Sequence, residues 1–401
     1  MRTSRLLAAA AALVIVAVLL ITAAHYAERE ETGAVHALAP QMFAQRNLGI
    51  ALQRAAFRQD DLLPVYGGSD LNIRNRYHAS ALFRTYPTGF TIFPIGNAGS
   101  SSLIWLQALA AVGDDLHGEK VVISAPARLF ADEAVGRHAY AANFSPLHAS
   151  ELAFSTDLSF AVKQEAARRM LQYPDTLANH PWLTFALEQL ADGSLSGRLL
   201  YYASLPLGKL HTLVLRLQDH WETLMFVRAQ VGLDTVRRQD ANLDWASLLD
   251  QAERETRSKA AGNPFGFEKA FWAAREPEIA RMKGMSTSSA SAQEPPRSAE
   301  WIDFDLVLRV IKDLGGEPLI LSRPLNGPFS DYLGVSLPAR RASYERLREI
   351  AKLHDVAVVD FAERDADPFF TVDPASHLSS SGWVHYDRVL DAFFHGRQSG
   401  T

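Results

Sequence analysis

Residues 62–71, with the sequence LLPVYGGSDL, decide the fold of this chain. A short apolar run breaks at Gly67 and Gly68 and then presents Ser69. An apolar run of this length that ends in a glycine turn indicates a buried strand followed by a sharp bend. Ser69 would then stand at the carboxyl end of a strand, where open α/β sheets bind their ligands. From this stretch alone, an ordinary turn serine is the alternative interpretation.

Strand-like runs and helical segments alternate on both sides of the central part of the chain. This alternation predicts a parallel sheet with crossover helices, and therefore one doubly wound α/β domain. Besides residues 62–66, strands are predicted at residues 90–95, 120–125, 318–321 and 356–361, and helices at residues 102–112, 302–314, 343–354 and 383–394.

The middle of the chain has helical spacing and few strand signals. We therefore predict a mostly helical insertion, from about residue 145 to residue 300, that interrupts the α/β domain. Residues 284–298 are rich in Ser, Ala, Pro and Gln, which is typical of a flexible loop. Within the insertion, helices are predicted at residues 152–172, 182–190, 205–228, 245–255 and 267–282.

An unbroken apolar run, LLAAAAALVIVAVLLITAA, occupies residues 6–24 and follows Arg2 and Arg5. Its length is about right for a helix that spans a bilayer. The basic flank favours an N-terminus in the cytoplasm and a chain that continues outside it. We favour an uncleaved transmembrane anchor formed by residues 1–25. A cleaved signal peptide is the competing interpretation, because small residues stand near the end of the run.

Both interpretations place the rest of the chain outside the cytoplasmic membrane, in the periplasmic or extracytoplasmic space. Residues 26–60 are predicted to form a stalk and a short helix. Residues 61–401 are predicted to form the extracytoplasmic α/β domain that contains the helical insertion. A chain of 401 residues is long enough for one large domain with such an insertion.

Composition excludes several classes of function. The chain carries 40 Lys and Arg against 45 Asp and Glu, and it has no Lys/Arg block, so a nucleic acid is not expected as a partner. It has no cysteine, which excludes disulfides, thiolate catalysis and cysteine zinc sites. No HExxH motif occurs, and the segment 96–102, GNAGSSS, lacks the lysine of a phosphate loop. We expect neither a metal nor another cofactor.

A second informative stretch, FFTVDPASHLSSSG at residues 369–382, follows the last predicted strand. It should return to the sheet edge that carries Ser69, and it offers Asp373 and His377. A serine hydroxyl needs an adjacent general base, and histidine suits that role because its pKa lies near neutrality. A carboxylate behind the ring fixes its tautomer. A solvated loop histidine and a turn-forming aspartate are the alternatives.

Acyl transfer also needs hydrogen-bond donors for the developing oxyanion. The backbone N–H of Ser69 is one candidate. Gly99 follows the second predicted strand and is another, and the side-chain amide of Asn97 in the same loop is a third. A plain Gly/Asn turn is the alternative for that loop.

These residues resemble the layout of SGNH-type hydrolases, which have a flavodoxin-like sheet. More closely, the chain resembles the DltD family of D-alanyl transfer proteins, which act in teichoic-acid D-alanylation. The resemblance runs through nearly the whole chain, in several blocks that occur in order. These blocks are GGSDL at residues 67–71, YHASALF at 77–83, ANFSPLHA at 142–149, NPFGFE at 263–268, RPLNGPFSDYLG at 323–334 and HLSSSGWVHYD at 377–387.

The resemblance implies a membrane-anchored acyltransferase or esterase, with possible thioesterase-type activity, that handles D-alanyl groups. It implies that Ser69 is the nucleophile, that His377 is the base and that Asp373 orients it. Three residues separate Asp373 from His377 in this chain, where the family usually has two. The implied acceptor is a cell-envelope polymer, and the implied partner is a polytopic membrane O-acyltransferase of the same pathway.

D-alanine carries an ammonium group, so we hypothesise that Asp70, next to the nucleophile, selects for it. Two other functions stay open at this point. One is O-acetyl transfer to an exopolysaccharide, which related SGNH domains perform. The other is a non-catalytic scaffold of the D-alanylation machinery.

Overall fold

Five parallel strands form one sheet at the centre of the computed structural model, in the order β2-β1-β3-β4-β5. The structure describes residues 2–41, 43–131, 136–230, 242–260, 262–285 and 298–397. The strands are β1 (Leu62–Gly67), β2 (Thr91–Gly96), β3 (Lys120–Ser124), β4 (Glu317–Leu321) and β5 (Ala357–Val359).

The strand order confirms the predicted parallel α/β sheet and agrees with the flavodoxin-like arrangement. The chain runs from β1 outward to β2, and then returns to place β3 on the other side of β1. The order therefore reverses between β1 and β3. In open α/β sheets, the crevice at the carboxyl end of the strands beside such a reversal is the usual ligand site.

Helices cover both faces of the sheet and form most of the remaining described structure. In the described residues they are α1 (Arg2–Leu38), α2 (Ala44–Leu48), α3 (Ala51–Phe57), α4 (Ala79–Thr85), α5 (Ser102–Val112), α6 (Arg137–Asn143), α7 (Pro146–Phe154), α8 (Phe160–Met170), α9 (Pro174–Leu177), α10 (Pro181–Asp192), α11 (Leu195–Ala229), α12 (Trp245–Lys259), α13 (Lys269–Arg281), α14 (Glu300–Asp313), α15 (Gly327–Leu333), α16 (Leu337–Leu353) and α17 (Ser380–Phe394).

Alternate residues of β1 face two separate cores. Leu62 and Tyr66 join a core that contains α5, α14 and the insertion helices. Leu63 and Val65 join a second core that contains α4 and α17. Every residue of β1 is buried, as a strand between two helical layers requires. This two-sided burial is why the strand is a continuous apolar run.

The middle of the chain is helical, as predicted, but its first predicted helix is wrong. Instead of one helix over residues 152–172, the structure has α7 and α8 separated by a short turn. In that turn the Ser155 Oγ accepts a hydrogen bond from the Asp157 N–H, and the Ser159 side chain caps the start of α8. Such side-chain bonds compete with helical backbone bonds. Most of the loop predicted at residues 284–298 lies outside the described residues.

The segment 26–60 differs from the predicted stalk. The second half of α1 packs against α3 and α11, and Val35 and Leu38 are fully buried there. These residues therefore belong to the folded domain. Of the predicted anchor, residue 1 and the side chains of residues 2–10, 13 and 17 lie outside the described part. In the part that is described, no helix combines the length and the apolarity needed to cross a membrane.

Candidate active site

Ser69 follows β1 directly, at the carboxyl edge of the sheet beside the reversal of strand order. It begins a short 3₁₀ turn over Ser69–Asn72. The end of β2 lies close against the end of β1, and position 96 needs glycine because a Cβ on Gly96 would lie 2.0 Å from the carbonyl oxygen of Gly67. The Trp105 indole N–H donates to that same oxygen over 3.1 Å. The end of β1 is thus held from two sides, and Ser69 is half-buried at a fixed position.

The structure brings Ser69, His377 and Asp373 together in one chain of hydrogen bonds. The Ser69 Oγ lies 2.8 Å from the His377 Nε2. The His377 Nδ1 lies 2.6 Å from the Asp373 Oδ2. Since a carboxylate only accepts hydrogen bonds, Nδ1 carries the proton in the neutral ring, and Nε2 is left to accept from the serine. This is the arrangement that activates a serine hydroxyl.

The three residues between Asp373 and His377 fit a tight turn. The Asp373 Oδ1 accepts hydrogen bonds from the backbone N–H groups of Ala375 (2.9 Å) and His377 (3.3 Å). The Ser376 N–H donates to the Asp373 carbonyl over 3.1 Å, and Ser376 has a φ of 61°. A left-handed residue absorbs the extra length. The unusual spacing is therefore compatible with contact between carboxylate and imidazole.

Asp70 follows Ser69 in the chain and is fully buried. Its Oδ1 accepts from the Gly68 N–H over 3.0 Å and lies 3.2 Å from an Arg323 nitrogen. Its Oδ2 accepts from the Ser124 Oγ over 3.1 Å. Both oxygens are engaged inside the protein, so this geometry does not support Asp70 as the carboxylate that receives the ammonium group of a substrate.

Arg323 is a site residue that sequence reasoning missed. Besides its ion pair with Asp70, its Nη1 donates to the Ser376 carbonyl over 3.2 Å. Arg323 thereby connects the turn that carries the nucleophile to the loop that carries His377. One signal was available, because Arg323 follows β4 and so had to lie at the same sheet edge as Ser69.

A cavity of about 280 Å³ opens beside Ser69 and includes Gly99, Arg128 and Glu300 in its lining. Gly99 has a φ of 78°, and a Cβ there would lie 2.9 Å from the Ala139 Cβ. The predicted donor Gly99 is therefore near the nucleophile, and its conformation favours glycine. A larger cavity of about 490 Å³ lies elsewhere, around α11. We take the smaller one as the candidate site, because it contains the serine.

Asn97 was predicted as a site residue but does not line the cavity, whereas Glu300 lines the cavity but was not predicted. Asn97 is exposed in the loop after β2, outside the lining of the cavity, and its role as an oxyanion donor stays a prediction. Glu300 lines the cavity although nothing in the sequence marked it. It is 2 % exposed, and burial raises its pKa to about 7, although the neighbouring Ser102 favours the charged form. Its position depends on the packing of α14 against α5, which no local pattern encodes.

The fold and this site define an α/β protein with a Ser–His–Asp arrangement at the carboxyl edge of a parallel sheet. The sequence model of one family, described as DltD protein, matches residues 39–395. The chain belongs to the DltD family.

Relatives from three bacteria agree with that assignment. Protein DltD of Bacillus subtilis (strain 168) is 26% identical over 358 residues, which cover 89% of this chain and 88% of the relative. Protein DltD of Lacticaseibacillus rhamnosus is 23% identical, with coverages of 91% and 85%. Protein DltD of Staphylococcus aureus (strain NCTC 8325 / PS 47) is 20% identical, with coverages of 85% and 83%. The similarity therefore extends over most of each chain.

Proposed function

We propose that this chain is a serine acyltransferase or esterase that transfers D-alanyl groups to a cell-envelope polymer. The observation that carries the proposal is the hydrogen-bonded series from Ser69 through His377 to Asp373. Membership of the DltD family supports D-alanine as the acyl unit, because that family is associated with teichoic-acid D-alanylation.

The first half of the reaction acylates Ser69. The Ser69 Oγ attacks the carbonyl carbon of a D-alanyl ester or thioester, while the His377 Nε2 takes the hydroxyl proton. The resulting oxyanion accepts hydrogen bonds from the backbone N–H groups of Ser69 and Gly99. When the bond to the leaving group breaks, His377 returns the proton to the departing alcohol or thiol. The product is a D-alanyl ester of Ser69.

The second half transfers the acyl group. A hydroxyl group of the polymer loses its proton to the His377 Nε2 and attacks the ester carbonyl. The Ser69 oxygen then leaves and takes the proton back. Throughout both halves, Asp373 holds the imidazole in the tautomer with Nδ1–H and stabilises the imidazolium that forms. Water in place of the polymer would give hydrolysis, so the exclusion of water decides the balance between transfer and esterase activity.

Attachment to the cytoplasmic membrane is part of this proposal, and it rests on the apolar residues 6–24 and the basic residues before them. A chain that lacks residues 1–25 should be released by alkaline carbonate, whereas the full chain should stay in the membrane pellet. The family resemblance suggests a polytopic membrane O-acyltransferase as the partner. Copurification of such a protein with the full chain from solubilised membranes tests that part.

Intact-mass spectrometry after incubation with a D-alanyl thioester tests the central claim. We expect one D-alanyl adduct, located on Ser69 by peptide mapping and absent from Ser69→Ala. An adduct formed from an acetyl thioester but not from the D-alanyl one would favour the O-acetyltransferase alternative. An unmodified Ser69 in the unsubstituted protein, together with continued D-alanylation of the envelope in a Ser69→Ala strain, would indicate a scaffold and refute the proposal.

A further inference from the structure

One carboxylate oxygen of Glu300, a residue that lines the cavity beside Ser69, has no hydrogen-bond partner among the described residues. Glu300 stands at the start of α14, and its Oε2 accepts from the Ser102 N–H at the start of α5 over 2.9 Å. That bond is a helix N-terminal contact and accounts for Oε2. Among the described residues, the buried Oε1 has no hydrogen bond of good geometry and neither has the Ser102 hydroxyl, although that side chain lies near enough to favour the charged carboxylate. A buried acceptor without a donor is costly, so this atom requires an explanation.

In the part of the chain that the structure describes, the charged groups around the cavity leave Glu300 without an ion-pair partner. Arg323 is occupied by Asp70. Behind Glu300, Arg169 of α8 favours its charged form from a distance, but its guanidinium is bound to Asp303 over 2.7 and 3.0 Å. Arg128 also lines the cavity but is exposed. Among the described residues, Glu300 is therefore the carboxylate in this cavity whose hydrogen-bonding capacity is only partly used inside the protein.

We propose that Glu300 binds the α-ammonium group of the D-alanyl donor and selects for it. The inference rests on the proposed function, because it concerns the acyl group that Ser69 receives. In a D-alanyl ester the ammonium group is one carbon away from the carbonyl that Ser69 attacks, so its counter-charge must lie in the cavity that holds the acyl group. An ammonium donates up to three hydrogen bonds, and Oε1, which is closed off from solvent in the structure, would accept one of them once the carboxylate turns toward the cavity. Asp70 has no such free oxygen.

The preference for D-alanyl donors should depend on pH. Burial raises the pKa of Glu300 to about 7, so the carboxylate is partly neutral below that value and binds a cation less well. The α-amino group of the donor has an ordinary pKa of roughly 7.7–8.0 and loses its charge above it. The ratio of kcat/KM for a D-alanyl donor to that for an uncharged donor should pass through a maximum between the two. His377 serves both donors, so the ratio isolates the contribution of the ammonium group.

The experiment compares two thioesters of N-acetylcysteamine, one D-alanyl and one propionyl, which differ by the ammonium group. Acylation of Ser69 is followed by intact mass in the full chain and in Glu300→Gln, which keeps an acceptor for the Ser102 N–H. We expect the D-alanyl/propionyl ratio to fall about 10- to 100-fold, the usual value of one charge-assisted hydrogen bond. Its dependence on pH should also disappear.

Asp219→Asn is the matched control. Asp219 is another buried carboxylate that binds the start of a helix, and burial raises its pKa to about 6, but it does not line the cavity. This variant should keep the wild-type ratio.

Equal losses on both donors in Glu300→Gln would overturn the inference and leave the proposed function intact. If Glu300→Gln does not fold, a ratio that is flat between pH 6 and pH 9 in the unmodified chain would overturn it instead. Failure of both donors to acylate Ser69 would contradict the proposed function itself.

Discussion

Two regions of the molecule join distant parts of the chain through polar contacts, and they do so differently. At the site, loops that follow β1, β4 and β5 meet at one sheet edge, and the contacts end in a serine beside a cavity. In the second region, which we call the N-terminal collar (α1 from residue 26 onward, α3 and α11), the contacts lie between helix surfaces. There the Asp219 Oδ2 accepts from the N–H groups of Ile50 and Ala51 over 2.8 Å each, and His220 pairs with Glu31.

The difference lies in what the polar groups leave unsatisfied. In the collar, the charged groups Asp219, His220 and Glu31 all have partners within the protein. At the site, the Ser69 hydroxyl is bound to His377 and stands beside the cavity, and the Glu300 Oε1 has no hydrogen-bond partner among the described residues. We therefore expect substitutions at the site to reduce activity with small effects on folding, and substitutions in the collar to reduce stability with small effects on chemistry.

Asp373→Asn should give the largest effect. An asparagine at this position favours the wrong tautomer of His377 and removes the charge that stabilises the imidazolium, so kcat for acylation should fall by about 10⁴-fold. Mass-spectrometric acylation rates with the D-alanyl thioester measure this. The thermal unfolding temperature should change little, because the Asp373 side chain lies in a loop near the surface of the protein. Wild-type rates in this variant would show that the hydrogen bond to Nδ1 has no catalytic role.

Sequence reasoning could predict this part of the site because topology restricts it. The carboxyl ends of parallel strands lie at one edge, so a serine after the first strand and a histidine after the last had to be close. The five strands were predicted within two residues of their observed ends for the same reason, since buried parallel strands are short apolar runs. No pattern could reveal the turn at Ser376, whose φ is positive without a glycine.

Arg323→Gln should reduce both stability and activity, although Arg323 belongs to the site. Removal of its charge leaves Asp70 buried without its counter-ion, which costs about 3–5 kcal/mol in comparable cases. Urea unfolding of the solubilised chain measures this loss, and acylation should weaken as well because the contact with the Ser376 carbonyl is lost.

The double variant Asp70→Asn/Arg323→Gln provides the control for Arg323. It removes the unpaired charge together with its partner, so it should be more stable than Arg323→Gln alone. Strict additivity of the two single losses would contradict the ion pair. Asp70→Asn should slow D-alanyl and propionyl donors equally, in contrast to Glu300→Gln.

Neither the packing of the collar nor the position of Glu300 could be predicted from the sequence, and the physical reason is the same for both. Residues 26–60 look polar and mildly amphipathic, which suits a stalk as well as a packed helix, and only the apolar face of α11 decides between them. Glu31 and His220 are 189 positions apart, on two helices whose relative rotation depends on packing. Glu300 likewise reaches the cavity only because α14 packs on α5. The surface of a helix does not determine which residues lie beside it, whereas the edge of a parallel sheet brings the ends of its strands together.

Asp219→Ala, in the collar, should reduce stability and leave the acylation of Ser69 unchanged. It leaves the N–H groups of Ile50 and Ala51 buried without an acceptor, and we expect a loss of about 1–3 kcal/mol in the free energy of unfolding. Asp219→Asn keeps an acceptor and should lose less. The rate of Ser69 acylation per folded molecule should stay at the wild-type value in both variants. A large fall in that rate would mean that the collar positions the site.

Glu31→Gln should give the smallest effect, visible mainly as a change in pH dependence. Burial opposes the charged form of His220, but the hydrogen bond and charge of Glu31, with Asp219 nearby, outweigh it and raise its pKa. A histidine whose folded pKa is raised adds stability below about pH 6.5, its unfolded value, and this stability is lost as pH rises through the folded pKa.

Unfolding free energies measured from pH 6.5 to pH 9 should therefore decline in the unmodified chain. The decline should be shallower in Glu31→Gln, and the largest difference between the two chains should occur at the acidic end. Parallel pH profiles of stability in the two chains would show that the Glu31–His220 pair does not couple protonation to folding.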